Sequence, residues 1–130
     1  MGVFNLLKHN DGESSDYSLF SNWLDRILSG KLPKGIKAFN FNLYEGSEGT
    51  YDIQLIGSDE FDEDDSDWAC TYFFSAGEDL CFIKRTEKIE HWEEGLKYIS
   101  KMVKQYVENG TNAHVLKNVD AVGIGFVDGE

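Results

Sequence analysis

At 130 residues, 41% hydrophobic and 14% aromatic, the chain carries enough apolar surface to offset the entropy of ordering, which excludes disorder over its whole length and predicts one domain, residues 1–130. No apolar run approaches the roughly 20 residues that span a bilayer, and Met1-Gly2-Val3-Phe4-Asn5 has neither the basic opening nor the apolar continuation of an export signal, so the expectation is a cytoplasmic chain without membrane contact. The net charge of −12 falls wholly within residues 38–83, which hold twelve Asp and Glu and no Lys or Arg; a surface of that sign repels phosphate and argues against nucleic acid as a partner.

In chain order, Ser14, Ser15 and Asp16 offer N-cap oxygens ahead of Leu19, Phe20, Trp23, Leu24, Ile27 and Leu28, whose spacing of three and four predicts an apolar helical stripe that Gly30 and Pro33 end. Residues 36–45 alternate, with Phe39, Phe41 and Leu43 against Asn40, Asn42 and Tyr44. Tyr51, Ile53 and Leu55 resume the alternation after the turn at Glu45–Gly49, so residues 36–57 read as an antiparallel hairpin. A third strand is predicted over Trp68–Phe74 and a fourth over Leu80–Lys84. Thr86 is placed to cap a long helix over 87–108 whose stripe contains Ile89, Trp92, Leu96, Ile99, Val103 and Tyr106. Val122, Ile124 and Phe126 alternate with Gly123 and Gly125 as a last strand with one bare face. The fold class expected is α+β: an antiparallel meander of four to six strands packed by an N-terminal helix and one long helix.

The residues with chemistry to offer are mostly acidic. Asp59, Glu60, Phe61, Asp62, Glu63, Asp64, Asp65, Ser66 and Asp67 place seven carboxylates in nine residues, a run too charged to bury. A run of this kind is commonly a solvated loop. Here the neighbouring strands add Glu45, Glu48, Asp52, Glu78 and Asp79 without a compensating base, and concentrated single-sign charge steers an oppositely charged partner. Asp59, Glu60, Phe61, Asp62, Glu63, Asp64, Asp65 and Asp67 are therefore the candidate partner-binding residues, with an exposed Phe61 as apolar anchor and Trp68 packed in the core. Asp62, Asp64 and Ser66 imitate the first oxygens of a calcium loop, but Asp67 stands where that loop needs glycine and Phe73 where it needs the bidentate glutamate. A loose divalent-ion site is the alternative that remains; no metal site and no cofactor is assigned.

An enzyme is not expected. His9, His91 and His114 share no metal-ligand spacing with one another or with Cys70 and Cys81. Gly123-Ile124-Gly125 lacks the third glycine and the following helix of a dinucleotide site. Both cysteines lie in apolar runs and are expected as reduced, buried hydrophobes and not as a disulfide.

Three segments, Ala38-Phe39-Asn40-Phe41-Asn42-Leu43-Tyr44-Glu45, Phe61-Asp62-Glu63-Asp64-Asp65-Ser66-Asp67-Trp68-Ala69-Cys70 and Gly125-Phe126-Val127-Asp128-Gly129, carry a resemblance. Over roughly residues 20–130 the chain resembles small bacterial proteins, some of them immunity proteins of polymorphic or contact-dependent toxin systems. The resemblance implies a cytoplasmic inhibitor that binds a cognate toxin domain, and it transfers no catalytic residue. An acidic inhibitor suits a nuclease toxin, whose active site is built to hold phosphate. Two other readings stay open: a non-enzymatic interaction module that binds through a sheet edge, and a weak divalent-ion-binding domain.

Overall fold

The computed structural model describes residues 2–70 and 72–127, with side chains from residue 15 onward apart from those of Ser66 and Cys70. Helix α1 (Gly2–Leu28) is followed by strands β1 (Ala38–Glu45) and β2 (Thr50–Ser58), a 3-10 turn at Ser66–Cys70, and strands β3 (Phe74–Ser75) and β4 (Cys81–Lys84). A second 3-10 turn at Glu87–Ile89 leads to α2 (Trp92–Asn109), α3 (Ala113–Lys117) and strand β5 (Ala121–Phe126). The class is α+β, as the sequence predicts, with an N-terminal helix and a long helix against a five-stranded sheet.

The hairpin forms in the expected place, with Phe41 opposite Leu55 and Leu43 opposite Ile53. Period-2 alternation then sends Phe39, Phe41, Leu43, Tyr51, Ile53 and Leu55 to one face, all of them buried. The helices cover that face: Phe20 of α1 packs its ring 5.8 Å from Phe41 and 6.4 Å from Tyr106 of α2. Two phenols tie α1 to α2, Tyr98 donating to the Asp16 carboxylate and Tyr106 to that of Asp25.

The sheet departs from a meander in two places. β5 returns parallel to β1, Ala38 opposite Ala121 and Leu43 opposite Phe126, so the sheet is mixed and runs β3-β2-β1-β5. The chain between β4 and β5 contains α2 and α3, the helical crossover that a parallel return requires. β3 and β4 do not continue a meander either; both pair with β2, at Ile56–Gly57 and at Thr50–Ile53. The third strand expected over Trp68–Phe74 is replaced by the 3-10 turn and the two-residue β3, and Thr71 lies outside the described residues. Its aromatic content imitated a strand, but the turn is what carries the Trp68 indole inward against β5.

Both helices begin where no predicted cap stands. α1 is helical from Gly2, so Ser14–Asp16 are interior positions. α2 starts at Trp92, not at Glu87, because the buried Tyr51 hydroxyl donates to the carbonyls of Ile89 (2.6 Å) and Glu90 (3.1 Å), occupying the acceptors at the break between the 3-10 turn and α2. The break leaves Trp92 44% exposed and Leu96 half-buried, while Ile99, Met102, Val103 and Tyr106 form the buried stripe. Ile99→Ala should therefore cost about 2 to 5 kcal/mol in urea unfolding, and Leu96→Ala about 1 kcal/mol; equal losses would mean that both side chains are equally buried.

Cys81 is a free, buried thiol. Burial pushes it up to about 12 from 9.0, and burial together with the hydrogen bond to Asp25 holds the Tyr106 phenol well above its usual value. In each case the folded state favours the protonated form. The stability that this protonation contributes is fully present below the unfolded pKa and is lost as pH rises through the folded one. The unfolding free energy from urea titration should hold up to pH 9 and then fall by up to about 1.4 kcal/mol per pH unit between pH 9 and 12 as Cys81 titrates, with Tyr106 adding to the fall above pH 10. A flat alkaline profile would mean that Cys81 and Tyr106 titrate as they do in the unfolded chain.

Candidate partner-binding face

The second face of the sheet carries Asn40, Asn42, Tyr44, Asp52 and Gln54, with the bare sides of Gly123 and Gly125 beside them. The segment after β2 folds over one end of it. Ser58, fully buried, accepts the Glu60 N–H on its hydroxyl (3.2 Å). Asp62 accepts the Asp64 N–H (2.9 Å), and Asp65 the Asp67 N–H (3.0 Å). Short acidic side chains bonding the backbone two residues on are what turn this run, so its charge is part of a defined loop.

Phe61 and Trp68 meet edge to face at 5.5 Å in the middle of that loop. Trp68 is 9% exposed, as expected of a core residue. A methyl group built on Gly123 would lie 3.5 Å from its ring, so the bare face of β5 receives the indole. Phe61 is half-buried against Trp68 and is not the free anchor that the sequence suggested. Asp59, Glu60, Asp62, Glu63, Asp64, Asp65 and Asp67 are all exposed. A cleft of about 200 Å³ lined by Glu60, Phe61, Asp62, Asp65, Asp67 and Trp68 brings three of the aspartates and one glutamate around the aromatic pair.

Two arginines from outside the acidic segment meet its periphery. Arg26 of α1 holds Asp79 through a bidentate contact, Nη2 to Oδ1 at 2.8 Å and Nε to Oδ2 at 3.3 Å. Arg85 stands 3.6 Å from Glu45. Among the described residues no ion pair is made to Asp59, Asp62, Glu63, Asp64, Asp65 or Asp67. Nor does any group of three or more His, Cys, Asp or Glu among them have an arrangement that would hold a metal ion.

Next to the acidic loop lies a feature that the sequence did not reveal. Asn40 Nδ2 donates to Asn42 Oδ1 (2.6 Å), and Asn42 Nδ2 donates to Tyr72 Oη (3.1 Å) and Gln54 Oε1 (3.3 Å). Tyr44 Oη also donates to Gln54 Oε1 (3.0 Å). Both asparagines are more than nine-tenths buried, and no buried side-chain nitrogen or oxygen among the described residues lacks a partner. With Tyr72, Gly125 and Val127 they line a cleft of about 420 Å³ at the β5 edge. Alternation assigns Asn40 and Asn42 to the face opposite the apolar core; that the face is covered follows from the loop crossing it, for which no local signal exists. Asp128 and Gly129, part of the segments that carry the family resemblance, lie outside the described residues. No family model matches this chain, and neither a curated protein nor a solved structure matches it.

Proposed function

We infer that this chain is a cytosolic, non-enzymatic immunity protein that binds a cognate toxin domain, a nuclease fitting best, and inhibits it through the acidic loop. The observation that carries the reading is the acidic run Asp59–Asp67, whose seven carboxylates are all exposed and of which six make no ion pair among the described residues, on a loop shaped by its own backbone contacts. Carboxylates presented on a fixed framework lose little freedom when they meet a cationic cleft, and their field speeds the encounter. A phosphate-binding active site is such a cleft, and filling it with carboxylates excludes the substrate. The Phe61–Trp68 pair supplies the apolar centre around which the charges are arranged.

The test is titration calorimetry of this protein against the product of the gene adjacent to its own, with that product's toxin activity measured in parallel. A one-to-one complex that abolishes the activity is expected; absence of a complex at micromolar concentration overturns the reading.

A further inference from the structure

We propose that β5 is a docking edge that takes an extended segment of the partner, with basic and apolar residues in alternation, as the next strand of the sheet. The inference rests on the acidic-face reading for the charge of that segment, and on the sheet for its geometry. Among the described residues β5 pairs only with β1, which makes it an edge of the sheet they form. Val127 N–H donates to Leu43 O at 3.1 Å, and this sets the phase of the ladder. Residues 121, 123 and 125 turn their backbone groups to β1, while Val122, Ile124 and Phe126 turn their N–H and C=O groups away from the sheet. No hydrogen bond among the described residues reaches those outward groups.

The edge lacks the devices that usually block pairing: it has six residues, no proline, no charge and two glycines. An added strand lies about 4.8 Å beyond β5 and sends alternate side chains to the two faces. On one face they meet the 420 Å³ cleft, with the Asn40 and Asn42 amides and the Tyr72 hydroxyl as polar contacts; Ala69 of this cleft follows Trp68, which lines the neighbouring acidic cleft with Asp65 and Asp67 and towards which a long basic side chain can be drawn. On the other they meet Phe126 and the exposed Trp92, whose rings are 6.0 Å apart. Lys or Arg on the first face and Val or Ile on the second complement what is there, so the main chain gives affinity and the alternation gives specificity. A second copy of this chain is disfavoured as the occupant because it brings another net charge of −12 to the same place.

The probe is a synthetic eight-residue peptide of alternating Lys and Val, added at millimolar concentration to the intact, isotope-labelled protein, with amide hydrogen exchange read by NMR. Exchange at Val122, Ile124 and Phe126 should slow by more than tenfold. Backbone N-methylation of one alternate set of peptide residues should abolish the effect and of the other set leave it, and a Glu-Val peptide should give none. If the peptide shifts only resonances of residues 59–67, the edge inference is overturned and the acidic-face reading stands. If the edge amides are protected equally in wild type and in the Asp62→Asn, Asp65→Asn, Asp67→Asn variant, the edge stands and the acidic-face reading falls. Edge amides already protected in the free protein, with a dimer in sedimentation, overturn the inference in favour of self-pairing.

Discussion

Replacing Asp62, Asp64, Asp65 and Asp67 together by Asn should slow association with the basic partner by about tenfold or more at low ionic strength, with little change in the unfolding midpoint. All four side chains are exposed and none is in an ion pair among the described residues, so little folding energy depends on their charge. Asn keeps the side-chain oxygen through which Asp62 and Asp65 hold the loop, so the variant removes charge and leaves shape. The wild-type rate should fall steeply with salt, because at 0.15 M the Debye length is about 8 Å, whereas the variant's rate should be nearly flat. Stopped-flow mixing at two ionic strengths measures both. Phe61→Ala should act on dissociation instead, since it takes the aromatic partner from Trp68 at the centre of the loop. Equal association rates for the fourfold variant and wild type would mean that the acidic run is solvated surface and nothing more.

Gly95→Ala should destabilise the protein by about 3 kcal/mol, although helix propensity alone favours alanine by about 1 kcal/mol. A methyl group on Gly95 would stand 2.5 Å from Tyr51 Cζ and 2.8 Å from its hydroxyl oxygen. That ring cannot move aside. It is fully buried on β2, stacks edge to face on Phe126 at 5.8 Å, lies under the Arg85 guanidinium at 5.5 Å and donates to the carbonyls of Ile89 and Glu90. The first turn of α2 has to lift from the sheet, adding an overpacking cost of about 1 to 3 kcal/mol and about as much again for a buried hydroxyl that loses its acceptors. In a double-mutant cycle with Tyr51→Leu, which removes the clashing atoms, the two losses should fall short of additivity by more than about 1 kcal/mol. A neutral or stabilising Gly95→Ala would show that α2 does not rest on Tyr51.

The outcome at individual elements separates what is local from what is not. The hairpin of β1 and β2 was legible because alternation and a glycine-flanked turn specify both its faces and its register within twenty residues. The apolar stripe of α2 was legible at Ile99, Val103 and Tyr106, but its start was not, since the break depends on a phenol forty residues upstream on another strand. Trp68 shows the same division. Its burial followed from its type, whereas the 3-10 turn that buries it depends on Gly123, some fifty residues further along the chain.

By itself the sequence determined the α+β class, the hairpin, the last strand and the confinement of all excess negative charge to residues 38–83. Each of these is a property of residues near one another in the chain, through hydrophobic period, turn chemistry or count of charge. Only the tertiary structure decided that β5 runs parallel to β1 at an edge, that β3 and β4 share β2, and that Asn40, Asn42 and Tyr72 meet beside the acidic loop. Strand order and the covering of the second face are choices among packings of elements that are locally equivalent, and long-range contacts select among them: the Trp68 indole against Gly123, and the helical return through α2 and α3 that lays β5 along β1.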